Sequence, residues 1–111
     1  MLDTSHDLLK GTLDLLILKV LSLEPMHGWG VIKRIQLLSE DVFQVNQGSL
    51  YPALQRVQKK GWIRSEWRVT ENSRRARYYT LTDSGWEQLG DSRRAWHIST
   101  AAVDRILSAT G

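Results

Sequence analysis

The chain has 111 residues, 41% of them hydrophobic, so one modest core in a single compact unit is expected. It contains no cysteine, which excludes disulfide frameworks, thiolate metal sites and cysteine nucleophiles and agrees with a reducing environment. The N-terminus lacks the features of a signal peptide and no apolar run is long enough to span a bilayer, so we expect a soluble, cytoplasmic protein without a membrane partner.

The net charge of +3 is unevenly distributed along the chain. Residues 47–77 contain eight lysines and arginines but only two acidic residues, whereas acidic residues outnumber basic ones in the remainder. A basic region beside an acidic remainder is typical of a protein that binds a polyanion through one surface and assembles through another. A merely solvated basic face is the alternative interpretation.

The first predicted helix runs from Leu8 to Leu23 and is apolar nearly all round. Such a helix must be covered on two sides, which favours the chain's own core on one side and a second subunit on the other. The helix ends before Pro25, because the residue before a proline avoids helical geometry. A second, short amphipathic helix is predicted from Gly28 to Ser39.

A third helix is predicted to begin near Gly48 or Ser49, because Pro52 is tolerated only close to a helix start. It should end near Gly61, in the usual C-terminal glycine position. The residues expected to face the core are Leu50, Leu54 and Val57. The opposite face carries hydrogen-bonding and cationic side chains and suits water or phosphate; its members are Ser49, Pro52, Gln55, Arg56, Lys59 and Lys60.

A β-hairpin is predicted after the third helix. Its strands span Trp62–Val69 and Arg77–Thr82, both rich in aromatic and β-branched residues. The polar loop between them places three arginines at or just after its tip: Arg74, Arg75 and Arg77. An ordinary solubilising hairpin is the alternative to one that binds a polyanion.

A long last helix is predicted from Thr82, a good N-cap, almost to the C-terminus. Its apolar residues recur at a spacing of seven, as in a helix that packs lengthwise on another helix. We expect this helix to find no place within so small a domain and to pair with the first helix of a second subunit in a twofold dimer. The predicted interface residues are Leu9, Leu13, Leu16, Leu89, Trp96, Val103, Ile106 and Leu107. Residues 1–82 would then form one domain, and residues 83–111 a dimerisation helix.

The sequence carries no enzyme signature. Its three histidines are far apart, its acidic residues are scattered, and no nucleophile, metalloprotease or phosphate-loop motif occurs. We therefore predict neither an enzyme nor a protein that requires a cofactor or a metal. His27, just before Gly28, is interpreted as a helix-start or packed residue.

The order of elements predicts a mainly α fold with a small β-hairpin, a winged helix-turn-helix with a C-terminal dimerisation helix. In this architecture the third helix enters the major groove of double-stranded DNA, which displays a distinct pattern for each base pair. Base-reading roles are predicted for Ser49, Gln55 and Arg56. Phosphate contacts are predicted for Lys33, Lys59 and Lys60, and minor-groove contacts for Arg74 and Arg75. Tyr51 either gives its hydroxyl to a phosphate or packs at the helix edge.

Three stretches of the chain together resemble the PadR family of bacterial transcription regulators. LLKGTLDLLILKVL resembles the family's first helix and MHGWGVIKRI its second. QGSLYPALQRVQKKGWI and RRARYYTLTDSG resemble its recognition helix, strand and wing. The single C-terminal helix is similar to that of the short subclass of the family.

This resemblance implies a homodimer that binds an inverted-repeat operator, usually as a repressor, and in some members releases DNA when a small molecule binds. It places Ser49, Tyr51, Pro52 and Arg56 on the recognition-helix motif and Arg74, Arg75 and Arg77 on the wing, and we include Gln47 in the DNA-binding set. Trp96 becomes a candidate contact for an aromatic effector, with simple dimer packing as its alternative role. The competing function is a winged helix that binds a protein instead of DNA.

Overall fold

The computed structural model describes the backbone of residues 6–111 and the side chains of residues 11–111. Within the described residues there are four helices and a small sheet. The helices are α1 (His6–Leu23), α2 (Gly28–Leu38), α3 (Gln47–Lys59) and α4 (Asp83–Leu107), and the strands are β1 (Met26–His27), β2 (Ile63–Val69) and β3 (Arg75–Leu81). The predicted mainly α winged helix-turn-helix fold is confirmed.

Polar side chains fix where three of the helices begin. The His27 imidazole accepts a hydrogen bond from the Gly30 backbone N–H at the start of α2, as its interpretation as a helix-start residue required. Thr82 caps α4 in the same way, as predicted. Helix α3 begins one residue earlier than predicted, because the Asn46 side chain caps it by accepting the Ser49 N–H at 2.9 Å. Pro52 therefore lies in the second turn of α3.

The sheet is antiparallel with the strand order β1, β3, β2. The predicted hairpin is formed by β2 and β3, whose register runs from Ile63 opposite Leu81 to Val69 opposite Arg75. Strand β3 starts two residues before the predicted position, so the connecting turn is shorter and Arg75 belongs to the strand. The sequence prediction missed β1, since two residues cannot show the alternation that marks a strand.

The core lies between α1, α2, α3, the base of the hairpin and the first turns of α4. Leu50, Leu54 and Val57 of α3 are buried in it, as predicted. Their partners include Ile17 of α1 and Ile63 of β2, both of which are fully buried. This core holds α3 so that its other face points outward. In residues 6–111, no helix combines the length and the apolar character needed to cross a membrane.

Helix α4 is divided between the core and solvent. Its first turns pack against the chain's own α1 and β3, and Leu89 is only 5% exposed. The expectation that α4 finds no place within its own domain is therefore wrong for these turns, because the apolar surface of α1 is wide enough to receive them. The distal half of the helix has its apolar residues exposed, and the molecule is 61 Å long.

The residues predicted for a subunit interface accordingly fall into separate groups. Leu13 and Leu89 are 3% and 5% exposed, so we remove them from the interface, because the chain's own core already covers them. Leu16 is half-buried against that core. The side chain of Leu9 lies outside the described residues. The remaining four are exposed on α4: Trp96, Val103, Ile106 and Leu107.

Candidate nucleic-acid interface

The outward face of α3 presents most of the side chains that the sequence predicted for DNA. Six of them are exposed: Gln47, Tyr51, Pro52, Gln55, Lys59 and Lys60, the last of which caps the helix. Ser49 is half-buried near the N-terminus of the helix. Helix α3 therefore offers amide, hydroxyl and ammonium groups on one rigid surface, which is the chemistry that base edges and phosphates require.

Arg56 differs from its neighbours on α3 because it forms an ion pair within the chain. Its guanidinium Nη2 lies 2.8 Å from the Oδ1 atom of Asp14, on α1. The side chain of Arg56 is 37% exposed and that of Asp14 is 20% exposed. In this structure the Arg56 guanidinium is thus turned toward α1, and the predicted base contact would require it to release or share Asp14.

Tyr51 packs on the start of α2. A Cβ atom added at Gly28 would lie 2.7 Å from the Tyr51 hydroxyl oxygen, closer than real contacts allow, so only glycine lets the ring approach this far. The residue nevertheless remains 41% exposed. Of the two roles that the sequence left open for Tyr51, the structure shows the packing, and the phosphate contact stays a prediction.

The wing, defined as β2, β3 and the turn between them, extends beyond the core. Trp67 lies opposite Arg77 in the hairpin and is 54% exposed. Its ring centroid is 5.2 Å from the central guanidinium carbon of both Arg75 and Arg77, which is within cation–π distance. The Arg77 Nε–H also donates a hydrogen bond to the Ser65 hydroxyl at 2.9 Å. One face of the wing thus carries a tryptophan and two arginines that contact its ring.

The other face of the wing carries less net positive charge. Arg68 forms an ion pair with Glu66 at 3.0 Å, and its guanidinium carbon lies 5.1 Å from the centroid of the Tyr78 ring. Arg64 is exposed on the same face, since β-strand residues alternate between faces. A carboxylate therefore offsets part of the charge on this outer face.

An open cleft of about 690 Å³ lies between α3, the start of α2 and the Trp67 face of the wing. Trp29, which lines the cleft, is contacted by Lys33 of α2, whose ammonium nitrogen lies 4.9 Å from the centroid of the Trp29 ring. Tyr79 lies on the inner wall, and its pKa is raised by burial and by Tyr51, with Arg77 acting in the opposite sense, so its hydroxyl stays protonated at neutral pH. Among the residues lining the cleft are Trp29, Tyr51, Trp67, Asn72, Arg74, Arg75 and Arg77.

The cleft brings Tyr51 of α3 together with the predicted wing arginines, whereas Lys33 and Lys60 line two other depressions of the surface. The sequence prediction missed Trp29, Trp67 and Asn72, which line the same cleft. Trp67 lies on the same strand face as Ile63 and Val69, and of these three only Ile63 is buried because the hairpin runs past the core. The signal in the sequence that could have identified Trp67 was the alternation along the two strands, which places it on the same face of the hairpin as a wing arginine. In the part of the chain that the structure describes, no three potential ligands cluster to hold a metal.

Comparison with known proteins gives consistent matches. The model of the transcriptional regulator PadR-like family matches residues 17–91. A PadR family transcriptional regulator from Eggerthella lenta is 29% identical, with 97% of this chain and 92% of that chain covered and a TM-score of 0.81. A PadR-like transcriptional regulator from Bacillus cereus is 29% identical, with 94% and 99% covered and a TM-score of 0.79. A protein from Thermoplasma acidophilum is 31% identical, with 95% and 99% covered and a TM-score of 0.78.

Proposed function

The chain belongs to the PadR-like family of transcriptional regulators, and on that premise we propose that it recognises a specific sequence in double-stranded DNA. Proteins of this family are regulators of transcription and not enzymes. The observation that carries the proposal is the joint placement of the outward face of α3 and the arginine-bearing face of the wing on two sides of one open cleft. Cations on the wing and on the exposed face of α3 suit the paired phosphate strands of a duplex.

In the proposed complex, α3 enters the major groove. Gln55 and Ser49 contact base edges, while Lys33, Lys59 and Lys60 contact phosphates. Arg74, Arg75 and Arg77 of the wing reach the flanking minor groove, whose negative potential attracts guanidinium groups. Phosphate contacts fix the position of the protein, and the few base contacts then supply the sequence preference.

We propose a homodimer that binds an inverted repeat. The support is the exposed apolar surface on the distal half of α4, which includes Val103, Ile106 and Leu107. Residues 1–82 would be the DNA-binding domain and residues 83–111 the dimerisation helix, with the first turns of that helix packed on the domain. Two copies related by a twofold axis would present their α3 helices to successive major grooves, about 34 Å apart.

We propose further that the dimer acts in the cytoplasm as a repressor that occludes a promoter, and that an aromatic small molecule controls it. Trp96 supports an effector role because it lines an open groove of about 500 Å³ between α1 and α4, together with Trp62. Flat aromatic ligands stack on exposed indole rings. Saturation of this groove by such a ligand should change the operator affinity, whereas Trp96→Ala should abolish that change.

The salt dependence of DNA binding tests the proposal. We expect the purified chain to bind a random-sequence duplex of 20 base pairs, and the logarithm of its affinity to fall linearly with the logarithm of salt concentration. Six neutralised phosphates would lower the affinity about 1000-fold between 50 and 200 mM salt. Selection of tight binders from a random pool should then return an inverted repeat. No binding at low salt, or a flat salt response, would favour a protein partner and overturn the proposal.

A further inference from the structure

We propose that Asp14 determines specificity by withholding Arg56 from non-cognate DNA. This inference rests on the proposed DNA-binding function and adds a role for a residue that lies on α1, outside the DNA-facing surface. The structure ties one cation of α3 to a carboxylate, while the lysines at the end of the same helix, Lys59 and Lys60, are exposed.

The ion pair is short and partly shielded from solvent. Its N–O distance is 2.8 Å, and the Asp14 side chain is only 20% exposed. Salt screens exposed charge pairs strongly and partly buried pairs much less. The Asp14–Arg56 pair should therefore persist at ionic strengths that weaken the exposed pairs of the chain, such as Arg68 with Glu66.

A paired guanidinium contributes little to binding that depends on net charge. A phosphate of a random duplex must compete with the Asp14 carboxylate for Arg56, and it offers no more than another single negative group. A guanine offers Arg56 two acceptors, O6 and N7, in the geometry that an arginine binds best. Arg56 should thus leave Asp14 only where the base sequence provides such a site, which lowers non-specific affinity more than operator affinity.

The position of Asp14 separates this role from simple structural support. Asp14 borders the groove between α1 and α4, and Lys60 borders the same groove, with its ammonium 4.7 Å from the centroid of the Trp62 ring. A change at residue 14 could therefore act through Lys60 as well as through Arg56. The experiment must distinguish these two paths.

The test measures affinity for a random-sequence duplex of 20 base pairs over a range of salt concentrations. Asp14→Asn should raise that affinity about fivefold, and the salt slope should steepen by about 0.9, because one more phosphate is neutralised. Asp14→Glu keeps the carboxylate and should stay near the wild-type value. Asp91→Asn removes the same charge from α4, where Asp91 pairs with Arg94, and should leave the slope unchanged.

A double-mutant cycle assigns the effect to Arg56. In an Arg56→Gln background, Asp14→Asn should no longer change the affinity or the slope, whereas it should still act in a Lys60→Gln background. An independent measurement leaves α1 untouched: Arg56→Gln should lower random-duplex affinity clearly less than Lys59→Gln, because the Arg56 charge is already withheld.

The outcomes separate this inference from the function on which it rests. If the wild-type chain binds duplexes with a steep salt dependence but Asp14→Asn leaves the affinity unchanged or lowers it, Asp14 does not withhold Arg56. Equal losses for Arg56→Gln and Lys59→Gln would overturn the inference in the same way. If no variant binds any duplex at low salt, the proposed function itself is wrong.

Discussion

The cleft beside α3 and the distal half of α4 are both exposed, but their surfaces have opposite chemistry. The cleft is walled by arginines and aromatic rings, and water solvates the polar ends of these side chains well. Distal α4 exposes aliphatic side chains, among them Val103, Ile106 and Leu107, whose removal from water is favourable. The isolated chain therefore explains why the cleft is exposed, but it does not explain why the apolar side chains of distal α4 are exposed.

This difference indicates that DNA binding by the cleft depends on assembly through α4. Apolar burial along α4 would set the stability of an assembly, whereas the cleft would set what that assembly binds. A dimer binds a second half-site as an intramolecular event, so its affinity for DNA exceeds that of one copy. Breaking the α4 surface should consequently cost more DNA affinity than any single change in the cleft.

The largest effect is expected from the α4 surface. The double variant Val103→Glu with Leu107→Glu places charges where apolar side chains would be buried, each worth about 1.5–3 kcal/mol. The dimer dissociation constant should rise by about 1000-fold or more, since two such residues are lost from each copy. Sedimentation equilibrium measures this change, and operator affinity should fall by about 100-fold with it.

Ile98 provides the matched control for that variant. It is exposed and aliphatic on the same helix, but it lies about 140° round the helix from Val103 and about 180° from Leu107. Ile98→Glu should leave the dimer intact. Equal loss of the dimer in both variants, or a wild-type chain that is monomeric at micromolar concentration, would contradict the comparison.

Most of the fold was predictable because local signals agreed with the tertiary structure. Thr82 as a cap, the break before Pro25 and the core face of α3 each follow from short-range chemistry. The division of α4 did not follow, because a stripe of apolar residues does not say whether its partner is the chain's own α1 or a second copy. Strand β1 was not predicted because its pairing with β3 joins residues that are far apart in the sequence.

The candidate site was predictable by residue type but not by pairing. The sequence indicates that Arg56 and the wing arginines are cationic and close to the DNA side. It cannot show that Asp14, 42 residues away, accepts a hydrogen bond from Arg56. Nor does it show that Trp67 is exposed, since that depends on how far the hairpin extends past the core.

An intermediate effect is expected from the cleft face of the wing. Arg75→Gln with Arg77→Gln should lower duplex affinity by about 10-fold at 0.1 M salt and reduce the salt slope by about 1.8, because two phosphate-neutralising charges are removed. The matched control is Arg64→Gln with Arg68→Gln on the outer face, where Glu66 already offsets Arg68. If the outer-face pair costs as much affinity, the cleft is not the side that meets DNA.

The smallest effect is expected from a change at Trp67, within the cleft. Trp67→Leu removes no charge, so the salt slope should stay the same while duplex affinity falls by about threefold. The reason is that the indole restrains Arg75 and Arg77, and without it each arginine loses more side-chain freedom on binding. In the background of Arg75→Gln with Arg77→Gln, Trp67→Leu should then have no effect on affinity. Additive losses would instead mean that Trp67 touches DNA directly, and the wing would read the duplex by stacking as well as by charge.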